Sequence, residues 1–197
     1  MSIQILKGKL PAYASKLADD LNVIINPKHI SLIQALGCAI SAAIACKSQT
    51  VLAEVMDEAS HHITEQDLNL ARQSAAYMGL TNVYYSFGLL AEDKDFVKID
   101  PQFNMKVESQ SNEADAEFYQ VAAAAIGQCE GCIKVHNRAL LKMGFSKEHI
   151  MEAVKIAGIV NSAARILHSI GDICDEKLPK VEKTIKNSVV TENQTDG

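Results

Sequence analysis

An all-α fold is the reading on which three features of this sequence agree. Apolar residues recur at steps of three and four along most of the chain, and strand-like alternation is absent. Alanine, leucine and isoleucine dominate, while aromatic residues make up only 5%. With 48% apolar residues in 197, the chain can build a real core, as one domain or as two small, intimately packed halves. A formal net charge of −5 argues against a nucleic-acid partner, which would call for a basic surface. Five cysteines is an odd count, and the N-terminus MSIQILKGKLPAY lacks the long apolar core of a signal peptide, so a reducing cytoplasm is the expected compartment.

Taken in order, Pro11 is expected in the first turn of an amphipathic helix with Leu17, Leu21 and Ile24 inward and Lys16, Asp19 and Asp20 outward, ending near Asn26-Pro27. The run Ile30–Cys46 is short for a membrane span and contains Gln34 and two serines, so it reads as a buried core helix. A helix through Leu52 and Met56 follows and closes around His61-His62. Thr64 with Asp67 forms a capping box for the next helix, whose inward stripe Leu68, Ala71, Ala75 and Met78 runs to Gly79. A further helix is expected from Val83 to Leu90, then a long connection over residues 92–110 containing Pro101. The second half is expected to hold helices over Ala114–Ile126, Cys129–Met143, Lys147–Ile159 and Ser162–Cys174, with Gly144 as a C-cap and Ser146 as an N-cap. Residues 1–175 then form one domain, and the polar residues 176–197 a frayed tail.

The two halves resemble one another. At a shift of 82 residues Thr64 falls on Ser146, Leu68 on Ile150, Ala71 on Ala153, Ala75 on Ala157, and Ala42-Ala43-Ile44 on Ala124-Ala125-Ile126. This is a weak internal repeat, about 28–91 and 113–175, carried mainly by caps and core positions. In that register Lys47, Thr50, Glu54 and Ala35 stand where Cys129, Cys132, His136 and Glu117 stand, so the first copy reads as a scaffold.

The chemistry gathers in Glu117–His136, EFYQVAAAAIGQCEGCIKVH. If Cys129 opens a helix, Cys132 and His136 follow at steps of three and four and share its face. Unpaired N–H groups and the helix dipole at such a start favour a thiolate. The pair Cys129/Cys132 then reads as a dithiol that opens and closes as a disulfide. Half of a zinc site and two inert buried thiols are the other readings; zinc would have to recruit Cys174, His149 or His168 beside His136. His136 is a surface imidazole or the base that relays the thiol proton. Glu117 is an ordinary helix charge or the carboxylate that orients that histidine. Cys38 and Cys46 read as small core residues, and His61, His62 and His149 as surface residues near helix ends.

The chain resembles the alkyl hydroperoxidase D family, within the carboxymuconolactone decarboxylase-like superfamily. The likeness runs through the opening LKGKLPAYASKLADDL, the segment MGLTNVYYSF over Met78–Phe87, and Glu117 with Cys129-Glu-Gly-Cys132-Ile-Lys-Val-His136. One departure is Gly131, where members of the family can carry a second histidine. The resemblance implies an all-α protein of two related halves, usually a homotrimer. It also implies a thiol peroxidase acting on alkyl hydroperoxides, with Glu117 and His136 as its proton relay. The family's disulfide is reduced by dihydrolipoamide on the lipoyl domain of a 2-oxoacid dehydrogenase acyltransferase, recharged by dihydrolipoamide dehydrogenase and NADH, and electrons can pass to a peroxiredoxin. No tightly bound cofactor or metal is expected. Cys129, nearer the open helix start, is the expected attacking thiol and Cys132 its relay and resolving partner. The rival expectations are a lipoyl-linked disulfide reductase that serves a peroxiredoxin, and a redox-sensing binding protein.

Overall fold

The computed structural model describes residues 2–170 except 94, 110 and 111. Among these residues it contains eight α-helices and no strand. They are α1 (Ser2–Gly8), α2 (Ser15–Asp20), α3 (Leu32–Ala45), α4 (Gln49–Ala59), α5 (Glu65–Leu90), α6 (Glu113–Gly127), α7 (Glu130–Lys142) and α8 (Lys147–Ile170). The sequence-predicted tail over 176–197 and the end of the last helix at Cys174 lie outside the described residues.

Helix α3 is the axis of the molecule. Its start is fixed by a capping box: Gln34 N–H donates to Ser31 Oγ at 3.1 Å, and Ser31 N–H donates back to Gln34 Oε1 at 3.0 Å. Residues 35–43 are buried all round because α5, α6 and α8 pack against the helix together. The apolar run is therefore a core helix, and among the described residues no helix is long and apolar enough to cross a membrane. Gly37 lets the Tyr119 ring of α6 lie directly on the α3 backbone, where a side chain at residue 37 would collide with it. The Tyr119 hydroxyl donates to Ile33 O at 3.3 Å and its carbonyl accepts from Ser41 Oγ at 2.9 Å, which locks α6 onto α3.

Three boundaries differ from the sequence expectation. The first helix is α1, not one opened by Pro11; Ile3 and Leu6 are fully buried against α4, and Ile3 N–H donates to Glu58 Oε2 at 3.2 Å. Seven residues are too few to show a period, and tertiary packing supplies the stability such a short helix lacks. Helix α5 does not stop at Gly79 but continues to Leu90, and α8 passes through Gly158 and Ser162 without a break. A glycine or serine inside a helix costs well under the free energy that burial of its neighbours returns: Met78, Thr81, Ile159, Val160 and Ala163 are all buried. The connection after α5 carries a 3-10 turn, Phe96–Lys98, and folds back onto the helix, with Tyr84 OH donating to Ile99 O at 3.1 Å.

Helices α3, α4, α5 and α6, α7, α8 repeat one order of medium, short and long. Their caps correct the register of the internal repeat. Ser31 and Asn112 occupy the N-cap positions of α3 and α6, Ser48 and Cys129 those of α4 and α7, and each pair is 81 residues apart; only Thr64 and Ser146, ahead of α5 and α8, keep the 82-residue shift. The residues before the second pair, Lys47 and Gln128, are both left-handed at φ 58° and 53°. Ser48, Val51, Val55 and Leu36, rather than Lys47, Thr50, Glu54 and Ala35, therefore match Cys129, Cys132, His136 and Glu117. An ungapped shift cannot register the one residue gained between the starts of α7 and α8, where α7 has 13 residues against the 11 of α4.

The chain before α3 is tied down by a carboxylate. Glu152 of α8 accepts from Lys28 N–H at 2.8 Å, His29 N–H at 2.5 Å and Ile30 N–H at 3.0 Å. Burial acts to raise the Glu152 pKa, but the three N–H donors together with His29 outweigh it and leave the carboxyl below its ordinary value. Glu152→Ala is expected to lower stability by about 3 kcal/mol at neutral pH. Because the folded pKa is depressed, that contribution is present above the unfolded value and is lost as pH falls through the folded one. The gap between wild type and variant in urea unfolding should therefore close towards acid. A gap that stays constant down to low pH would exclude this role for the charge.

Candidate active site

Helix α6 ends at Gln128, whose left-handed φ of 53° turns the chain sharply, and Cys129 N–H closes the turn on Ala124 O at 3.4 Å. Cys129 is the N-cap of α7, with extended backbone and a sulfur that accepts from Cys132 N–H at 3.3 Å. This is the job of Ser48 Oγ at the start of α4, which accepts from Val51 N–H at the same 3.3 Å. A serine cap in one half is thus a sulfur cap in the other.

Cys129 and Cys132 are joined as a disulfide, with their Cα atoms 5.3 Å apart. The turn lays α7 back along α6, so that His136, in the second turn of α7, meets Glu117, a residue of the first turns of α6. Glu117 Oε2 and His136 Nδ1 are 2.8 Å apart. Both side chains are largely covered, at 19% and 9% exposure, so bulk water screens the pair little. The four residues that the sequence singled out come together in one place. Among the described residues no group of three or more His, Cys, Asp or Glu side chains could hold a metal ion.

Beside them lies a cavity of about 320 Å³ between α5 and α7. Cys132, His136, Gly131 and Val135 of α7 form one wall. Tyr77, Thr81, Tyr85 and Leu89 of α5 form the other, with Met78 beside them. Cys132 is 4% exposed and lines this space, whereas Cys129 is fully buried against Met78, Ala123 and Ala124. The first half, a scaffold in the sequence register, supplies this wall through α5. The signal was present, since Tyr77, Thr81, Tyr85 and Leu89 are spaced by four and share one helical face, but it shows only if the helix continues through Gly79.

The remaining candidates stand apart from the site. Cys38 is fully buried on α3, its thiol donating to Phe118 O at 3.4 Å; burial pushes its pKa up, and Asp115 adds to this, so it is held as an inert thiol. Cys46 is half-buried, packs on the edge of the core and donates to Asn161 Oδ1 at 3.6 Å. His61 and His62 are exposed beyond the end of α4, and His149 lies against Ser146 at the start of α8. Cys174 lies outside the described residues.

Residues 102–171, which include α6, α7 and α8 up to Ile170, match the Carboxymuconolactone decarboxylase family. Relatives extend over most of the chain. It is 34% identical over 169 residues to the Alkyl hydroperoxide reductase AhpD of Rhodospirillum centenum, covering 85% of this chain and 91% of that protein. It is 32% identical to the protein of the same name from Corynebacterium aurimucosum and 33% identical to that of Methylocella silvestris, covering 86% of this chain and 96% of each relative.

Proposed function

This chain belongs to the alkyl hydroperoxide reductase AhpD family, and we propose that it is a thiol peroxidase that reduces organic hydroperoxides through a Cys129/Cys132 dithiol–disulfide cycle. The observation that carries this reading is the joining of four groups: a cysteine pair at a helix start, a histidine one turn on, a carboxylate 2.8 Å from that histidine, and a cavity reaching only one of the two sulfurs.

The expectation that Cys129 meets the peroxide rested on its place at the helix start. Exposure points the other way. Cys132 lines the cavity together with His136, while Cys129 is sealed beneath it, so we assign the attack to Cys132 and resolution to Cys129. With Glu117 accepting from His136 Nδ1–H, Nε2 is the basic nitrogen and takes the Cys132 proton, directly or through water. The Cys132 thiolate attacks one peroxide oxygen, the O–O bond breaks, and the alkoxide leaves as an alcohol after taking a proton. Cys132 is then a sulfenic acid. The Cys129 sulfur displaces its hydroxyl as water and closes the disulfide.

Reopening needs an external dithiol. A dihydrolipoyl group fits the chemistry: its thiolate attacks the accessible Cys132 sulfur and expels Cys129 as a thiolate, and its second thiol then releases Cys132 and leaves lipoyl disulfide. The helix start favours that leaving group, because the N–H of Cys132 already points at the Cys129 sulfur. A lipoyl domain recharged by dihydrolipoamide dehydrogenase is the donor we propose, the assembly a homotrimer and the compartment the cytoplasm.

The test is NADH consumption with dihydrolipoamide dehydrogenase, a lipoyl domain and cumene hydroperoxide, for wild type and Cys132→Ser. Rapid, peroxide-dependent consumption that vanishes in the variant is expected. Consumption that begins only when a peroxiredoxin is added would make the chain an electron carrier instead. Disulfide-dependent binding of a partner without any turnover would make it a redox sensor.

A further inference from the structure

Gly131 is the second residue of α7, and its backbone does not require glycine: its φ is outside the left-handed region. A helical glycine lowers stability relative to alanine. The space left by its missing side chain opens onto the cavity beside Cys132. A Cβ built there would stand 3.6 Å from Leu89 Cδ1 and 3.9 Å from Tyr85 Cβ, so the gap is bounded by α5 side chains and is wide enough for a methyl group. Gly8, Gly79 and Gly158 also have ordinary backbone, but a Cβ on any of them meets nothing within 4 Å. At Gly131 the missing side chain shapes a cavity.

The walls of that cavity are apolar or neutral. Met78 is buried at 1% exposure, and Leu89 and Val135 present apolar groups at 44% and 60% exposure. The polar groups are the Thr81 hydroxyl, the Tyr77 and Tyr85 phenols, and His136, whose Nδ1 is already engaged by Glu117. Among the described residues no lysine or arginine lines it, so a carboxylate on a substrate would enter without a counter-ion from them and with the Glu117 charge behind His136. A volume of about 320 Å³ is at the small end for ligand sites, which suits a compact group rather than a long chain.

Resting on the thiol-peroxidase reading, we infer that the substrate is a neutral hydroperoxide with a compact apolar substituent, branched or aromatic, and that Gly131 is the position that admits it. The –OOH end lies at Cys132 and His136, and the substituent fills the space between Gly131, Tyr85 and Leu89. A side chain at 131 competes for that space.

The test is a single-turnover measurement that needs no electron donor. Chemically reduced protein is mixed with cumene hydroperoxide, its para-carboxylated derivative or hydrogen peroxide, and the loss of free thiol is followed. Wild type should oxidise with cumene hydroperoxide on the order of tenfold faster than with the carboxylated derivative. In Gly131→Leu the ratio of the cumene hydroperoxide rate to the hydrogen peroxide rate should fall on the order of tenfold. Gly131→Ala, which favours the helix, should lower it less, and adding Leu89→Ala to Gly131→Leu should restore most of the ratio. An unchanged ratio in Gly131→Leu and Gly131→Ala, or equal rates with the charged and neutral substrates, overturns the inference and leaves the peroxidase reading standing. A wild-type dithiol that none of the three peroxides oxidises overturns both.

Discussion

Cys132→Ser is expected to remove peroxide reduction altogether, a loss on the order of 10³-fold or more in single-turnover oxidation, while Cys129→Ser still reacts once. The two cysteines are close in sequence but differ in surroundings. Cys132 lines the α5–α7 cavity one turn before His136, and Cys129 is fully buried as the helix cap. In Cys129→Ser the attack on peroxide proceeds and stops at a sulfenic acid on Cys132, which no neighbouring thiol can close into a disulfide. Catalytic turnover is lost in both variants, but only Cys129→Ser should consume one equivalent of peroxide and label with a sulfenic-acid-specific reagent at Cys132. The serine hydroxyl at 129 can still accept from residue 132 N–H as Ser48 does from Val51, so the helix start stays capped and this variant should fold. A sulfenic acid found instead at Cys129 in Cys132→Ser would reverse the assignment.

His136→Ala should slow dithiol oxidation at neutral pH by roughly 10²–10⁴-fold, and Glu117→Gln by a smaller factor. In the proposed mechanism the histidine takes the thiol proton and the carboxylate, 2.8 Å from Nδ1, acts through it, so the two losses should not add. The double variant Glu117→Gln/His136→Ala should be no slower than His136→Ala alone. The defect should also shrink with rising pH, because towards the ordinary thiol value of about 8.5 the thiolate forms without a base. Rates followed from mildly acid to alkaline pH test both points. Losses that add fully, or a defect of equal size at every pH, would reduce the pair to a structural contact between α6 and α7.

Local features carried much of this protein. The caps at Thr64 and Ser146 and the spacing of Cys129, Cys132 and His136 are properties of a few consecutive residues, so the all-α fold, the starts of α5, α7 and α8 and the candidate reactive groups are legible in one dimension. Helix ends were less legible. Gly79 and Gly158 carry the local chemistry of a stop and Ser162 that of a new start, and only the burial of their neighbours against other helices overrides it.

What tertiary structure alone decided is which groups meet and which of them a substrate can reach. Glu117 and His136 meet because a left-handed Gln128 folds α7 back on α6. The cavity exists because α5, from the half without the Cys129/Cys132 pair, runs uninterrupted past Gly79 and brings Tyr77, Thr81, Tyr85 and Leu89 opposite α7. Access to one sulfur and not the other depends on packing from helices distant in sequence. Residue type and local spacing belong to the sequence, so it supplied the candidate groups; exposure belongs to the packed assembly, so the proposal of Cys132 over Cys129 rests on the fold.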